Sequence, residues 1–255
     1  EFLGIYSLAN SIMLISEVLG KMGLETGIMR FISRLDPELD KEKINLLIGS
    51  AFKMTAIFSL SVMIALIISS GTIVDNYFNG QSLLKSVLII FAIAIPFNSL
   101  TLISAFATQG FKRLKYKTIV TQFLNPTILL LTMIFCYWFM SKESIIMAPI
   151  LNTGIIGFLV MVVVLKKVSG LKNSQIIKSS IDFELLKFSY PLMFVTILQT
   201  LMHWMDILML GYFTNAVTVG LYHPAARTAG LLQALLLSFL SIYAPLASQF
   251  HNEGD

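Results

Sequence analysis

Seven long apolar stretches, near residues 4–32, 44–74, 83–110, 116–140, 145–166, 185–213 and 217–250, occupy most of this 255-residue chain. Each exceeds the roughly 20 residues that a helix needs to cross about 30 Å of hydrocarbon. Lipid offers backbone groups no hydrogen-bond partners, so a spanning segment must be a helix or part of a closed barrel. Barrel strands are about 10 residues long and alternate in polarity. These stretches do neither, and the expected fold is an all-α polytopic membrane protein. Composition agrees: 56% of the residues are hydrophobic and 13% are charged. Soluble domains carry about 25% charged residues.

The loops between the stretches alternate in charge. One set holds Arg30, Arg34, Lys41 and Lys43, then Lys112, Arg113, Lys115 and Lys117, then Lys166, Lys167, Lys172, Lys178 and Lys187. The alternate loops hold Lys85 and Lys142. Thirteen cations against two place the first set in the cytoplasm by the positive-inside rule. The net charge of +4 is then membrane topology, and no nucleic-acid partner is expected. The expected location is the cell membrane, crossed several times. In this orientation Glu1 lies outside and Asp255 inside. The chain opens on Glu rather than Met, so the expectation is an internal stretch preceded by at least one further helix. The first segment is too long for a signal peptide and lacks a basic leading region. Cys136, the single cysteine, forms no intrachain disulfide and gives no metal cluster.

A short pattern occurs twice. Gly4-Ile5-Tyr6-Ser7-Leu8-Ala9 returns as Gly220-Leu221-Tyr222-His223-Pro224-Ala225. Both copies open a segment entering from the same side, six segments apart. A parallel repeat of six-helix halves accounts for this. So does coincidence at two interfaces, where tyrosine is favoured anyway.

Three stretches resemble a known family. The first is Gly4-Ile5-Tyr6-Ser7-Leu8-Ala9 with Gly23-Leu24 and Arg30-Phe31. The second is Gln109-Gly110-Phe111-Lys112-Arg113. The third is Leu186-Lys187-Phe188-Ser189-Tyr190-Pro191-Leu192, followed by Asp206, Gly211, Gly220-Leu221-Tyr222 and Ala225-Ala226-Arg227. In order and spacing they resemble the polysaccharide-biosynthesis flippases of the multidrug/oligosaccharidyl-lipid/polysaccharide exporter superfamily. The resemblance implies a two-lobed bundle of parallel six-helix repeats, of which this chain matches helices two to eight. Residues 1–178 would then be the remainder of the N-terminal lobe, and 179–255 the first helix pair of the C-terminal lobe. Lys21 departs from the pattern, which has a small or polar residue there. The implied activity moves an isoprenoid-diphosphate-linked oligosaccharide from the cytoplasmic to the outer leaflet for cell-surface polysaccharide synthesis. The implied partners are that lipid-linked oligosaccharide, membrane lipid and a coupling ion, H+ or Na+. The implied protein is not an enzyme and holds no cofactor.

A diphosphate and its sugars need a hydrated cavity lined with cations and polar groups. Glu17, Lys21 and Glu25 are spaced to share one helical face. Each would cost at least about 2.5–3.5 kcal/mol facing lipid. They line a cavity, form an internal ion-pair ladder, or both. Counting from the loop that joins their segments puts Lys53 level with Lys21. Lys53 then faces an anion or snorkels to the interface. Asp206 and Arg227 stand equally far from a turn placed between residues 216 and 217, which predicts a salt bridge across the last hairpin. His203 lies one turn before Asp206, as a hydrogen-bonded interior residue or a proton site; two residues do not make a metal site. Asn98 and Asn125 lie near Pro96 and Pro126, while Pro191 and Pro245 interrupt later segments. Proline kinks suit a bundle that rocks around a cavity, and are also common in membrane helices generally.

Lys21, Lys53, Glu17, Glu25, Asn98 and Arg227 are therefore the candidate cavity residues. Glu17, Asp206, Arg227 and His203 are the candidates for coupling or salt-bridge roles. No phosphate-binding glycine loop occurs, which removes ATP as the driver. Two other readings remain. A cation-coupled multidrug exporter of the same superfamily would want a net acidic cavity, which Lys21, Lys53 and Arg227 oppose. A membrane enzyme of envelope synthesis would want a catalytic cluster at a membrane face. Asp36, Glu38 and Asp40 lie among basic residues and read as a solvated connection.

Overall fold

The computed structural model describes residues 1–78, 81–139, 144–170 and 179–230, with backbone alone at 144–149. Lys142, Lys172, Lys178, Pro245 and the part of the seventh apolar stretch beyond residue 230 lie outside the described residues. The helices are α1 (Phe2–Lys21), α2 (Leu24–Ser33), α3 (Lys41–Tyr77), α4 (Ser82–Gly110), α5 (Leu114–Phe139), α6 (Ser144–Ser169), α7 (Phe183–Phe213) and α8 (216–230). Among the described residues, six are long and apolar enough to cross a membrane: α1, α3, α4, α5, α7 and the Ile150–Ser169 portion of α6. The chain is an all-α polytopic membrane protein.

The first apolar stretch, expected as one segment, is two helices. Met22 and Gly23 both adopt left-handed backbone, with φ of 51° and 71°. The Met22 N–H turns back to the Val18 and Leu19 carbonyls and closes α1. A left-handed residue is a common way to end a helix, and glycine takes that conformation without steric cost. Gly23 has a second reason to lack a side chain: a Cβ there would collide with the Ser189 carbonyl of α7. A Cβ on Gly27 would meet the Ser189 hydroxyl. Small residues four apart let two helices approach closely where lipid gives no hydrophobic drive to association. The other face of α2 buries Leu24, Ile28 and Ile32 at intervals of four.

The center of the bundle is α4, which packs on α1, α2, α3 and α6. Its buried residues are largely small, including Ala92, Ala94, Ser99, Thr101, Ser104, Ala105, Ala107 and Thr108. Thr101 and Ser104 donate to the Phe97 and Leu100 carbonyls, so their hydroxyls stay satisfied inside the bundle. Two apolar clusters stack along α4. One gathers Leu88 and Phe91 with Ile5 and Leu8 of α1 and with Trp204 and Ile207 of α7. The other, nearer the basic loops, gathers Ile103 and Ala107 with Leu24, Ile28, Ile48 and Leu185. By contrast, Ile57, Leu60, Ile64 and Ile68 of α3 point outward. Exposed apolar residues at helical spacing form the surface a lipid-facing helix needs.

Among the described helices, α5 carries an irregularity at proline. A π-helical turn, Ile119–Leu124, immediately precedes Asn125 and Pro126 in α5. Pro126 has no N–H for the Gln122 carbonyl, and a widened turn accommodates the defect. Pro191 lies inside α7 beside Ser189, where α2 rests on that helix. Asp182 caps α7, accepting from the N–H groups of Glu184 and Leu185 at 2.9 and 3.1 Å.

The repeated pattern has a structural counterpart. A Cβ added to Gly220 would stand 3.0 Å from the Gly4 nitrogen and 3.5 Å from its Cα. A Cβ on Gly4 would collide with the Ala216 carbonyl. The N-terminal ends of α1 and α8 thus cross backbone to backbone, on the side away from the basic loops.

Candidate functional site

Glu17, Lys21 and Glu25 form a charge ladder at the α1–α2 break. The Lys21 ammonium lies 3.2 Å from Glu17 and 3.6 Å from Glu25. They are the buried charged residues among those described, at 4%, 7% and 6% exposure. The left-handed turn at Met22–Gly23 does not separate them, so the ladder spans two helices. Of the two readings open from sequence, the ion-pair ladder is present. Breaking a buried pair by removing one partner leaves an uncompensated charge and costs about 3–5 kcal/mol.

Lys53 reaches elsewhere. Its ammonium donates to the Ser179 carbonyl at 2.6 Å, beside the start of α7 on the basic-loop side. That contact is of the interfacial kind expected of a snorkelling lysine. Asn98 packs against α6: its amide oxygen would stand 3.0 Å from a Cβ on Gly154. Asn125 does the same at Gly157, at 2.9 Å. Both amides therefore belong to the seam between α6 and its neighbours α4 and α5.

A second polar group lies in the α7–α8 hairpin, where a cavity of about 890 Å³ opens between the two helices. Gln199, His203 and Asp206 line it from α7, and Tyr222, His223 and Arg227 from α8. The expected Asp206–Arg227 salt bridge is not formed: the ion pairs among the described residues are Lys21–Glu17, Lys21–Glu25 and Lys43–Asp40. Asp206 instead accepts the Tyr222 hydroxyl at 2.9 Å and the N–H of Ile207 at 2.8 Å. The reason is register. The helices turn at Thr214–Asn215, with Asn215 capping α8 through the Thr218 N–H at 3.0 Å. That centre lies two residues earlier than 216–217 and moves the residue opposite Asp206 one turn, from Arg227 to His223.

Arg227 is held by neutral groups. Its guanidinium carbon sits 4.7 Å above the Trp204 ring. Its Nε donates to His223 Nε2 at 3.2 Å, so that nitrogen is an acceptor and His223 is in a neutral form. The His223 ring in turn stacks on Trp204 at 6.1 Å and 22°, and His203 meets the edge of the same indole. Trp204 is buried against α1 and α4, which fixes the platform. A guanidinium anchored by its face and Nε keeps its terminal N–H fork for another acceptor. That fork matches the paired oxygens of a phosphate or carboxylate.

A model of the polysaccharide biosynthesis protein family matches residues 1–251. The chain belongs to the polysaccharide biosynthesis protein family. No curated protein and no solved structure matches it. The family places this helical bundle in polysaccharide biosynthesis.

The two polar groups differ in what they offer. The ladder at the α1–α2 break satisfies its own ammonium with two carboxylates. The α7–α8 cavity joins a cation to one acid, two imidazoles, an amide and a phenol. Among the described residues no three His, Cys, Asp or Glu side chains converge as a metal would require. Gln199 was not distinguishable in the sequence from other polar residues in apolar helices. Tyr222 and His223 were visible there only as members of the repeated pattern. Their roles depend on hairpin register, which a shift of two residues alters.

Proposed function

We propose that this protein moves an isoprenoid-diphosphate-linked oligosaccharide from the cytoplasmic to the outer leaflet of the cell membrane by alternating access. The observation that carries this reading is Arg227, a cation without a carboxylate partner among the described residues, held by Trp204 and His223 at a polar cavity. A diphosphate crossing lipid needs such a counter-charge, since an unpaired charge in hydrocarbon is prohibitive. The hydroxyls of the attached sugars need hydrogen-bond partners, which Asp206, Gln199 and Tyr222 supply from the same walls. The isoprenoid tail stays in the bilayer.

Orientation follows from the basic loops, which stay cytoplasmic. The Gly4–Gly220 crossing then lies toward the outside. The protein acts as a transporter and not as an enzyme: the substrate leaves chemically unchanged.

The test is binding of an isoprenoid-diphosphate oligosaccharide to the purified intact protein, competed with a lipophilic cationic dye. The expected result is tight, diphosphate-dependent binding that the dye does not displace and that Arg227→Ala weakens. Dye binding without lipid binding overturns it and moves the protein to the multidrug-exporter reading, with Asp206 as the group to pursue. Hydrolysis of the diphosphate by the pure protein overturns the transporter assignment in favour of an enzyme.

A further inference from the structure

A second cavity, of about 340 Å³, opens beside α3 near the basic loops. Lys43, Leu46, Leu47 and Ser50 of α3 form one wall; Ser180 and Asp182, just before α7, form the other. Two hydrogen bonds tie the walls together. Ser50 Oγ accepts the Asp182 N–H at 2.8 Å, and Lys53 reaches the Ser179 carbonyl. The cleft shares no lining residue with the α7–α8 cavity.

Each wall carries one charge with bonding capacity to spare. Asp182 caps α7 through Oδ1, which accepts from Glu184 and Leu185. Its Oδ2 takes no hydrogen bond or ion pair among the described residues. Lys43 pairs with Asp40 at 3.6 Å, with the lysine side chain 75% exposed. Such a surface pair is weak, and an ammonium has three protons to donate. Ser50 is buried and uses its oxygen as an acceptor, which leaves its hydroxyl proton to donate. One cation, one carboxylate and a hydroxyl around a small cleft match a zwitterion better than an anion or a cation alone. The positive-inside rule sets the basic loops, and with them the cleft, at the cytoplasmic headgroup layer. The same face of α3 then leads into the bilayer: Leu46, Ser50, Lys53, Ile57, Leu60 and Ile64 follow at intervals of four and three. Ile57, Leu60 and Ile64 are among its outward, lipid-facing residues. A molecule seated here by its head has hydrocarbon along α3 for its tail.

We propose that this cleft seats the headgroup of a phosphatidylethanolamine of the cytoplasmic leaflet, with its phosphate on Lys43 and Ser50 and its ammonium on Asp182 Oδ2. The primary ammonium decides between lipids. Phosphatidylcholine presents the same phosphate, but its quaternary nitrogen has no N–H to donate to Asp182. No aromatic ring among the described residues lines the cleft to receive that nitrogen instead. Phosphatidylglycerol leaves Asp182 without a counter-charge. The bound lipid would bridge α3 and the segment that enters α7, adding to the tie that Ser50 and Lys53 already make. The proposal goes beyond the transport reading and does not depend on it.

The test is native mass spectrometry of the intact protein, stripped of lipid in detergent. It is offered equal amounts of phosphatidylethanolamine, phosphatidylcholine and phosphatidylglycerol with identical acyl chains. The expected result is retention of phosphatidylethanolamine over phosphatidylcholine by about tenfold, the effect of one charge-assisted hydrogen bond. Asp182→Asn keeps a side-chain oxygen to cap α7 but loses the carboxylate, and should bring the two lipids level. Lys43→Gln changes an exposed side chain and should weaken both lipids alike, which reads the site even if Asp182→Asn fails to fold. Equal retention of phosphatidylethanolamine and phosphatidylcholine by the unmodified protein, or a preference for phosphatidylglycerol, overturns the proposal. So does a preference that survives Asp182→Asn, or phosphatidylethanolamine retention that Lys43→Gln leaves unchanged.

Discussion

Gly4 of α1 and Gly220 of α8 meet backbone to backbone, with the Gly4 nitrogen 3.0 Å from where a Gly220 Cβ would stand. These are the first residues of the two copies of the repeated Gly-x-Tyr pattern. The pattern is thus a contact as well as a repeat: the same small residue on two helices gives both the room to cross. The tyrosines that follow diverge in use. Tyr6 packs edge-on against Phe91 at 5.8 Å, whereas Tyr222 turns its hydroxyl to Asp206.

That crossing predicts opposite signs for the same substitution at two glycines. Gly4→Ala places a methyl on the Ala216 carbonyl and should lower Tm, with a cost of about 1–3 kcal/mol, typical of overpacking. Gly230→Ala meets nothing within 4 Å and should be neutral or raise stability by about 0.5–1 kcal/mol through helix propensity. Thermal unfolding of both variants in detergent checks the pair. Equal effects would show that α1 and α8 do not touch at Gly4.

Gly23 makes a second such prediction at the helix break. Its φ of 71° already costs any residue with a Cβ roughly 1 kcal/mol, and the Ser189 carbonyl occupies the space that the Cβ needs. Gly23→Ala should therefore destabilise more than Gly27→Ala, whose clash is with a hydroxyl that is able to rotate. Stability assays on the two variants, with Gly230→Ala as reference, give the order. A milder effect at Gly23 would argue against a left-handed break.

Arg227 predicts a difference between charge and shape. Arg227→Lys keeps the cation but loses the planar fork and much of the hold on Trp204, so diphosphate-lipid binding should fall about tenfold. Arg227→Ala should fall further. Trp204→Leu removes the platform while leaving Arg227 in place, and should weaken binding in the same direction. Titration of the three variants with the lipid-linked substrate checks the order. Full binding by Arg227→Lys would mean that only charge is sensed.

The fold was largely legible because membrane helices announce themselves by length and apolarity, and six of the expected stretches are helices long enough to span. The break at Met22–Gly23 was not, since the apolar pattern runs through it and the left-handed turn depends on the approach of Ser189 from a helix far along the chain. Glu17, Lys21 and Glu25 were legible as a group because their spacing of four survives the turn. Asp206 and Arg227 were legible as polar residues of one hairpin but not as to partner. Placing the turn at 216–217 rather than at Thr214–Asn215 moved the facing residue by a full turn. Lys53 was placed by a symmetry of depth that takes no account of Ser179, a carbonyl brought near from beyond a loop.

Lys21 and Lys53, level by sequence counting, should separate sharply when replaced. Lys21→Met leaves Glu17 and Glu25 buried without their shared ammonium, at a cost of about 3–5 kcal/mol. Neutralising the acids as well, in Glu17→Gln with Lys21→Met and Glu25→Gln, should restore much of that stability, because a buried triad replaced whole is far less costly than one that is broken. Lys53→Met loses a charged hydrogen bond to a carbonyl near the basic loops and should cost no more than about 1.5–3 kcal/mol, with no rescue by the acid substitutions. Denaturant or thermal unfolding of these variants, with Lys53→Met also combined with the acid substitutions and the unmodified protein as reference, checks both the size and the rescue. If the triple variant is no more stable than Lys21→Met, the ladder is not held by charge balance. If the acid substitutions rescue Lys53→Met, Lys53 belongs to the ladder after all.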